Sequence, residues 1–239
     1  MLRVLSIGNS FSQDAQRYLH GIAKVEGMDI KCVNLYIGGC SLQKHYINIL
    51  ENYPVYDFEF MGESTGIKVS INQALVSDDW DFITLQQVSY KAPYYETYQP
   101  YLNGLADHAR KYSPKSKILM HETWAYEQGS DRLTKELGFQ KSEDMYDKIR
   151  FAYIKAAETI DADGIIPSGQ AMMIACNEGI GKMYRDTFHA DYGIGRYLLG
   201  LVWYRMLTGN FAQNKFREFD VAVDEKEAEK IQRLLYGLF

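Results

Sequence analysis

Short apolar runs with strand character alternate with longer stretches of helical spacing along almost the whole chain. The strand-like runs fall at residues 3–7, 30–36, 81–85, 117–121 and 164–167. Helical stretches are read at 12–25, 71–77, 98–112 and 142–160; in the last, Tyr146, Ile149, Ala152, Tyr153 and Ala156 recur at helical spacing. Two more follow the final strand, over 189–209, where Gly209 stops the helix, and over 225–238, while 53–60 reads as turn-rich and aromatic. Strands joined through helices pair in parallel by right-handed crossovers. The expectation is therefore an α/β fold, a three-layer α/β/α sandwich around a mainly parallel, five-stranded sheet. With no internal repeat or linker, the 239 residues suit one domain, 1–239. Ligands of such sheets bind beyond the carboxyl ends of the strands.

Composition removes several classes of function. A formal net charge of −5 without a Lys or Arg cluster argues against a nucleic-acid partner. No apolar run reaches membrane-spanning length, so no membrane partner is expected. Cys32, Cys40 and Cys176 are too few and too scattered for a disulfide scaffold or a zinc site. No His-x-x-x-His or cysteine pair supplies the usual ligands of a metal hydrolase, and "GNSFSQ" is neither a dinucleotide fingerprint nor a Walker loop. The first residues, Met1-Leu2-Arg3, lead straight into a strand without a signal-peptide pattern, so a cytoplasmic address is expected. Loss of a leader would give the same sequence with a periplasmic or secreted address.

Attention falls on the end of the first strand, where Val4-Leu5-Ser6-Ile7 stops at Gly8-Asn9-Ser10. Two readings of Ser10 compete. With Gln13 it fits an S-x-x-Q capping box, and Ser12 is another available cap. Alternatively Ser10 is a nucleophile, which needs a base because a serine hydroxyl is weak at neutral pH. Of the five histidines, His20 and His108 fall inside helices, while His45 and His121 follow strands two and four. His189 lies three residues after Asp186 in "YRDTFHADYG", a spacing that lets a carboxylate hold the imidazole tautomer. The competing reading has Asp186 capping the next helix. A two-carboxylate glycosidase built on Glu122 and Asp186 leaves Ser10 and His189 unexplained.

The order of these pieces resembles the SGNH (GDSL-like) hydrolase superfamily, in a branch seen in gut bacteria. "IGNSFS" is similar to the nucleophile block, with Asn9 where many members have Asp. "NLYIGGCS" is similar to the second block through Asn34, Gly39 and Ser41, and "DTFH" to the last block. The resemblance covers about residues 3–209 and implies a flavodoxin-like SGNH fold with Ser10, His189 and Asp186 as nucleophile, base and orienting acid. It also implies an oxyanion hole from the N–H groups of Ser10 and Gly39. The Gly-x-Asn-Asp block that most members carry after strand three is replaced by "TLQQVSY". A glutamine carboxamide offers the same donor, so Gln87, or Gln86 beside it, is the expected substitute; both otherwise cap strand-end backbone.

The function implied is hydrolysis of short-chain acyl esters, acetyl groups on carbohydrates foremost, with no metal or cofactor. The expected partner is a small-molecule or oligosaccharide ester, and oligomeric state is not readable. Trp124 and Tyr126 read as an aromatic wall and His45 as reaching the same mouth, against a packed core edge for Trp124. The alternatives are a thioesterase or lysophospholipase on the same triad, or a carbohydrate-binding domain without catalysis. Retention of Ser10, Asp186 and His189 together weighs against the last.

Overall fold

The computed structural model describes residues 1–239. The sheet has seven strands: β1 (Leu2–Gly8), β2 (Ile30–Tyr36), β3 (Tyr56–Phe60), β4 (Glu63–Val69), β5 (Phe82–Leu85), β6 (Lys117–His121) and β7 (Gly164–Ile166). Their order is β4-β3-β2-β1-β5-β6-β7. The five expected strands are the parallel part, β2-β1-β5-β6-β7. Central β1 is buried along five of its seven residues, as a strand covered on both faces must be.

The nine helices are α1 (Ser10–Gln16), α2 (Leu19–Val25), α3 (Leu42–Glu51), α4 (Ile71–Leu75), α5 (Tyr101–Tyr112), α6 (Ser142–Thr159), α7 (Ser168–Asn177), α8 (Ile194–Thr208) and α9 (Glu225–Leu238). Because β2 lies on one side of β1 and β5, β6 and β7 on the other, right-handed crossovers put α1 and α2 on one face and α4, α5 and α6 on the other. The chain then returns, and α8 packs on α1 and α2. The result is the expected three-layer sandwich, with the carboxyl ends of β1, β2 and β5 opening on one rim.

The sheet exceeds the expected five strands by a hairpin. β3 runs antiparallel to β2 and β4 antiparallel to β3. The two are joined by Met61 and Gly62, both left-handed (φ 52° and 82°), the conformation that a two-residue hairpin loop requires. β4 is an edge strand whose residues are nearly all exposed, so it shows no apolar alternation in sequence. A Cβ at Gly62 would lie 2.5 Å from the Arg17 carbonyl oxygen. The expected helix over 12–25 breaks at that contact into α1 and α2. α8 starts later than expected because Asp191 Oδ2 accepts from the N–H groups of Gly193 (2.8 Å) and Ile194 (3.2 Å) and starts the helix there; Gly209 ends it in the left-handed region (φ 74°).

Candidate active site

The site begins where β1 gives way to α1. Asn9 caps the helix: its Oδ1 accepts from Phe11 N–H (3.0 Å), and Ser12 Oγ accepts in return from Asn9 N–H (3.0 Å). Of the two readings of Ser10, the cap therefore belongs to its neighbour, and the Ser10 hydroxyl is left for another partner. Gly8 makes the close turn possible, since a Cβ there would meet Ser12 Oγ at 2.0 Å.

That partner comes from far along the chain. Tyr184 and Ala190 form an antiparallel bridge that closes a short loop holding Asp186 and His189 at the rim. Thr187, between them, is left-handed (φ 77°), a strained position for a β-branched residue. The turn folds Asp186 back on its own loop, where Oδ1 accepts from His189 N–H (2.9 Å) and Oδ2 accepts from His189 Nδ1 (2.7 Å). Nδ1 therefore carries the proton, and Nε2 accepts from Ser10 Oγ–H at 2.8 Å. Burial pushes the Asp186 carboxyl up, but the hydrogen bonds it accepts from His189 and from Phe188 N–H outweigh that and hold the group below the usual carboxylate range. The loop is pinned from behind by Trp124, whose Nε1 donates to Phe188 O (2.8 Å).

Gly39 lies across from Ser10 in a turn closed by Cys40 N–H donating to Ile37 O (3.1 Å). It is left-handed (φ 63°), where glycine carries no penalty. The backbone N–H groups of Ser10 and Gly39 donate to no acceptor within the protein. Both residues line a cleft of about 330 Å³ together with His189, Tyr126, Arg132 and Arg185.

Neither glutamine is available as the third donor. Gln87 is fully buried: its Oε1 accepts from the N–H groups of Leu42 (3.0 Å) and Val88 (2.9 Å), and its Nε2 donates to Thr97 O (3.0 Å). It ties the start of α3 to the β5–α5 connection, which corrects the expectation placed on it. Gln86 works behind the nucleophile. Cys40 O accepts from Asn9 Nδ2 (3.0 Å), so Asn9 Oδ1 faces Gln86 Nε2 (2.7 Å). Gln86 Oε1 then accepts from His121 Nδ1 (2.6 Å), and His121 Nε2 from Ser168 Oγ (3.1 Å). Burial drops the His121 pKa to about 3, so this chain is neutral. Asn9 thereby ties the Ser10 turn to the Gly39 turn. Aspartate at position 9 would set an acceptor against the Cys40 carbonyl, which explains asparagine there.

Two further expectations are corrected. His45 is wholly buried against the Tyr56 hydroxyl (2.9 Å) and does not reach the cleft. Trp124 is also fully buried, stacked on Phe11 with ring centroids 4.1 Å apart, and supports the wall from behind. Tyr126 does line the cleft. Arg132, Arg185, Tyr36 and Phe188 line it too and carry no motif of their own in the sequence. No cluster of three or more His, Cys, Asp or Glu side chains is disposed to hold a metal ion, and no helix is long and apolar enough to cross a membrane.

Glu122 is buried beneath the rim, where its Oε2 accepts from Gln170 N–H (3.0 Å). Burial raises its pKa to about 7, so the folded protein binds a proton there that the unfolded chain has already released near its ordinary pKa of 4.5. Stability from this group is full below about 4.5 and is lost as pH rises through about 7. Glu122→Gln removes the titration. The variant's Tm relative to wild type is expected to climb steadily from pH 4.5 to 7.5 in calorimetric scans; a constant difference would refute the assignment.

Among solved structures, the chain is similar to a DUF4886 family protein from Bacteroides uniformis, 34% identical, covering 99% of this chain and 93% of that one with a TM-score of 0.89. The acetylxylan esterase Axe2 from Geobacillus stearothermophilus (14% identity, 89% and 96% covered, TM-score 0.53) has a similar fold. So does a family 3 carbohydrate esterase from Clostridium thermocellum (11% identity, 85% and 94% covered, TM-score 0.51). The architecture is that of the SGNH hydrolases. No curated protein matches the chain. Residues 3–234 match the family described as "Domain of unknown function (DUF4886)", and the chain belongs to that family.

Proposed function

We propose that this protein is a serine esterase that hydrolyses short-chain acyl esters, acetyl esters of carbohydrates foremost. The observation that carries the reading is the unbroken line from Ser10 Oγ through His189 to Asp186, with separations of 2.8 and 2.7 Å, opening on a cleft. Ser10 Oγ attacks the ester carbonyl as His189 Nε2 takes its proton. The ionised Asp186 stabilises the imidazolium that forms. The N–H groups of Ser10 and Gly39 receive the oxyanion, and as rigid backbone donors they need no reorganisation when charge develops. Collapse of the tetrahedral intermediate breaks the bond to the alcohol oxygen, which leaves with the proton held by His189. Water activated by the same imidazole then releases the acid and restores Ser10. The likeness of fold to an acetylxylan esterase and a carbohydrate esterase supports an acetylated sugar, and the small, partly polar cleft suits a short acyl chain.

The test is turnover of 4-nitrophenyl acetate, butyrate and octanoate, combined with mass-spectrometric mapping of a fluorophosphonate adduct. Acetate is expected to be fastest, with the adduct on Ser10. A preference for octanoate would transfer the site to lipid or long-chain thioester substrates. An adduct elsewhere, or no turnover of any ester, would overturn the reading.

A further inference from the structure

We infer that the ester bound in this cleft carries a carboxylate near the ester group, as in an O-acetylated acidic sugar, and that Arg132 recognises it. The esterase reading supplies only the ester; the charge of the ligand is argued independently. The chain has 31 acidic and 26 basic residues, yet the cleft walls contain two arginines and no acid. The two arginines are differently placed. Arg185 is committed: its Nη1 donates to both oxygens of buried Asp14, at 2.9 Å each. Arg132 is exposed, has no carboxylate within ion-pair distance and makes no side-chain hydrogen bond to the protein; its contact is with an aromatic ring.

Its position is nevertheless defined. The guanidinium lies over the Phe188 ring at 4.2 Å, and that ring lies 3.9 Å from the His189 imidazole. The free cation is thus one aromatic ring away from the group that faces Ser10. Packing over the ring restrains the guanidinium while no protein group takes up its N–H donors, which leaves them for a carboxylate. A single π-helical turn, Arg132–Glu136, carries it, closed by Leu137 N–H donating to Arg132 O (3.2 Å). One unpaired monocation calls for one monoanion, which favours a carboxylate over a phosphate dianion. Tyr36 and Tyr90 also line the cleft and suit sugar hydroxyls, while Gln13 beside them donates its Nε2 to Glu59.

The test measures binding rather than turnover, in a Ser10→Ala protein, so that it stands apart from catalysis. The ligands are a mono-O-acetylated methyl glucuronoside with a free carboxylate and the same sugar as its carboxymethyl ester, titrated by calorimetry at low and high salt. The free acid is expected to bind about tenfold more tightly at low salt, an advantage that shrinks as salt screens the pair. Adding Arg132→Gln should bring the two affinities together, and Arg132→Lys should restore part of the difference. Equal affinities, no binding of either ligand at millimolar concentration, or a preference that survives Arg132→Gln would each overturn the proposal. A preference for the acid without any ester turnover by wild type retires the esterase reading and leaves this one standing; turnover without preference does the reverse.

Discussion

Ser10→Ala and His189→Ala are each expected to lower kcat for 4-nitrophenyl acetate by about 10⁴- to 10⁶-fold, and the double variant to lose no more than either single one. The two side chains act on one proton. Without Ser10 there is no oxygen to activate, and without His189 the Ser10 hydroxyl keeps its proton at neutral pH. Once one member is gone the other has nothing left to contribute. Residual turnover from the oxyanion donors should persist in all three variants, because Ser10→Ala preserves its backbone N–H and Gly39 is untouched. Structural damage is separable from lost chemistry: Asn9 caps α1, so Ser10→Ala removes no cap and should leave Tm within about 2 °C of wild type. Additive losses in the double variant would mean that the 2.8 Å contact between Ser10 and His189 is not the reacting pair.

The parts of this site that were legible in sequence are those whose spacing or order is itself the signal. Ser10 follows an apolar strand directly, and Asp186 and His189 sit three apart, so local chain geometry suffices to relate each to its surroundings. The parallel part of the sheet was legible for the same reason, since buried central strands are continuous apolar runs. Gln87 was misread because a carboxamide beside the right strand looks the same whether it faces solvent or is bonded to Leu42, Val88 and Thr97. Leu42 opens α3, 45 residues before Gln87, and Thr97 lies 10 residues on in the β5–α5 connection, so no local pattern encodes where either one sits. His45 and Trp124 failed similarly: each follows a strand, but the depth at which a side chain stops is set by tertiary packing. Arg132 gave no signal, because one arginine in a polar stretch acquires meaning only when Phe188, more than fifty residues on, folds beneath it. β4 escaped notice because its exposed residues leave an edge strand without the period-two pattern.

Asp14→Ala should be the most destabilising single substitution among the polar residues around the site, costing about 3–5 kcal/mol. Asp14 is fully buried on α1 and accepts from Arg185 Nη1 and from Arg196 Nε at 2.9 Å. Arg196 is itself nearly buried on α8, while Asp220 takes its other end at 2.9 Å. Removing the carboxylate leaves Arg196, nearly buried, and Arg185, at the cleft wall, short of their shared counter-charge, and that penalty, rather than the worth of the ion pairs themselves, sets the cost. For a chain of this size the change corresponds to a Tm lower by roughly 10 °C in calorimetry. The exposed Lys135–Asp131 pair is the internal comparison, and its removal should cost under about 1 kcal/mol. Arg185 also immediately precedes Asp186, so Asp14 fixes the root of the loop that carries the base. A displacement of His189 by a fraction of an ångström is enough to lower kcat by about tenfold or more. A lower Tm with unchanged kcat would mean that the Tyr184–Ala190 bridge and the Trp124 hydrogen bond hold the loop without Asp14. Unchanged Tm would mean that both guanidiniums find water or other acceptors once the carboxylate is gone, and the burial penalty would not be the source of its effect.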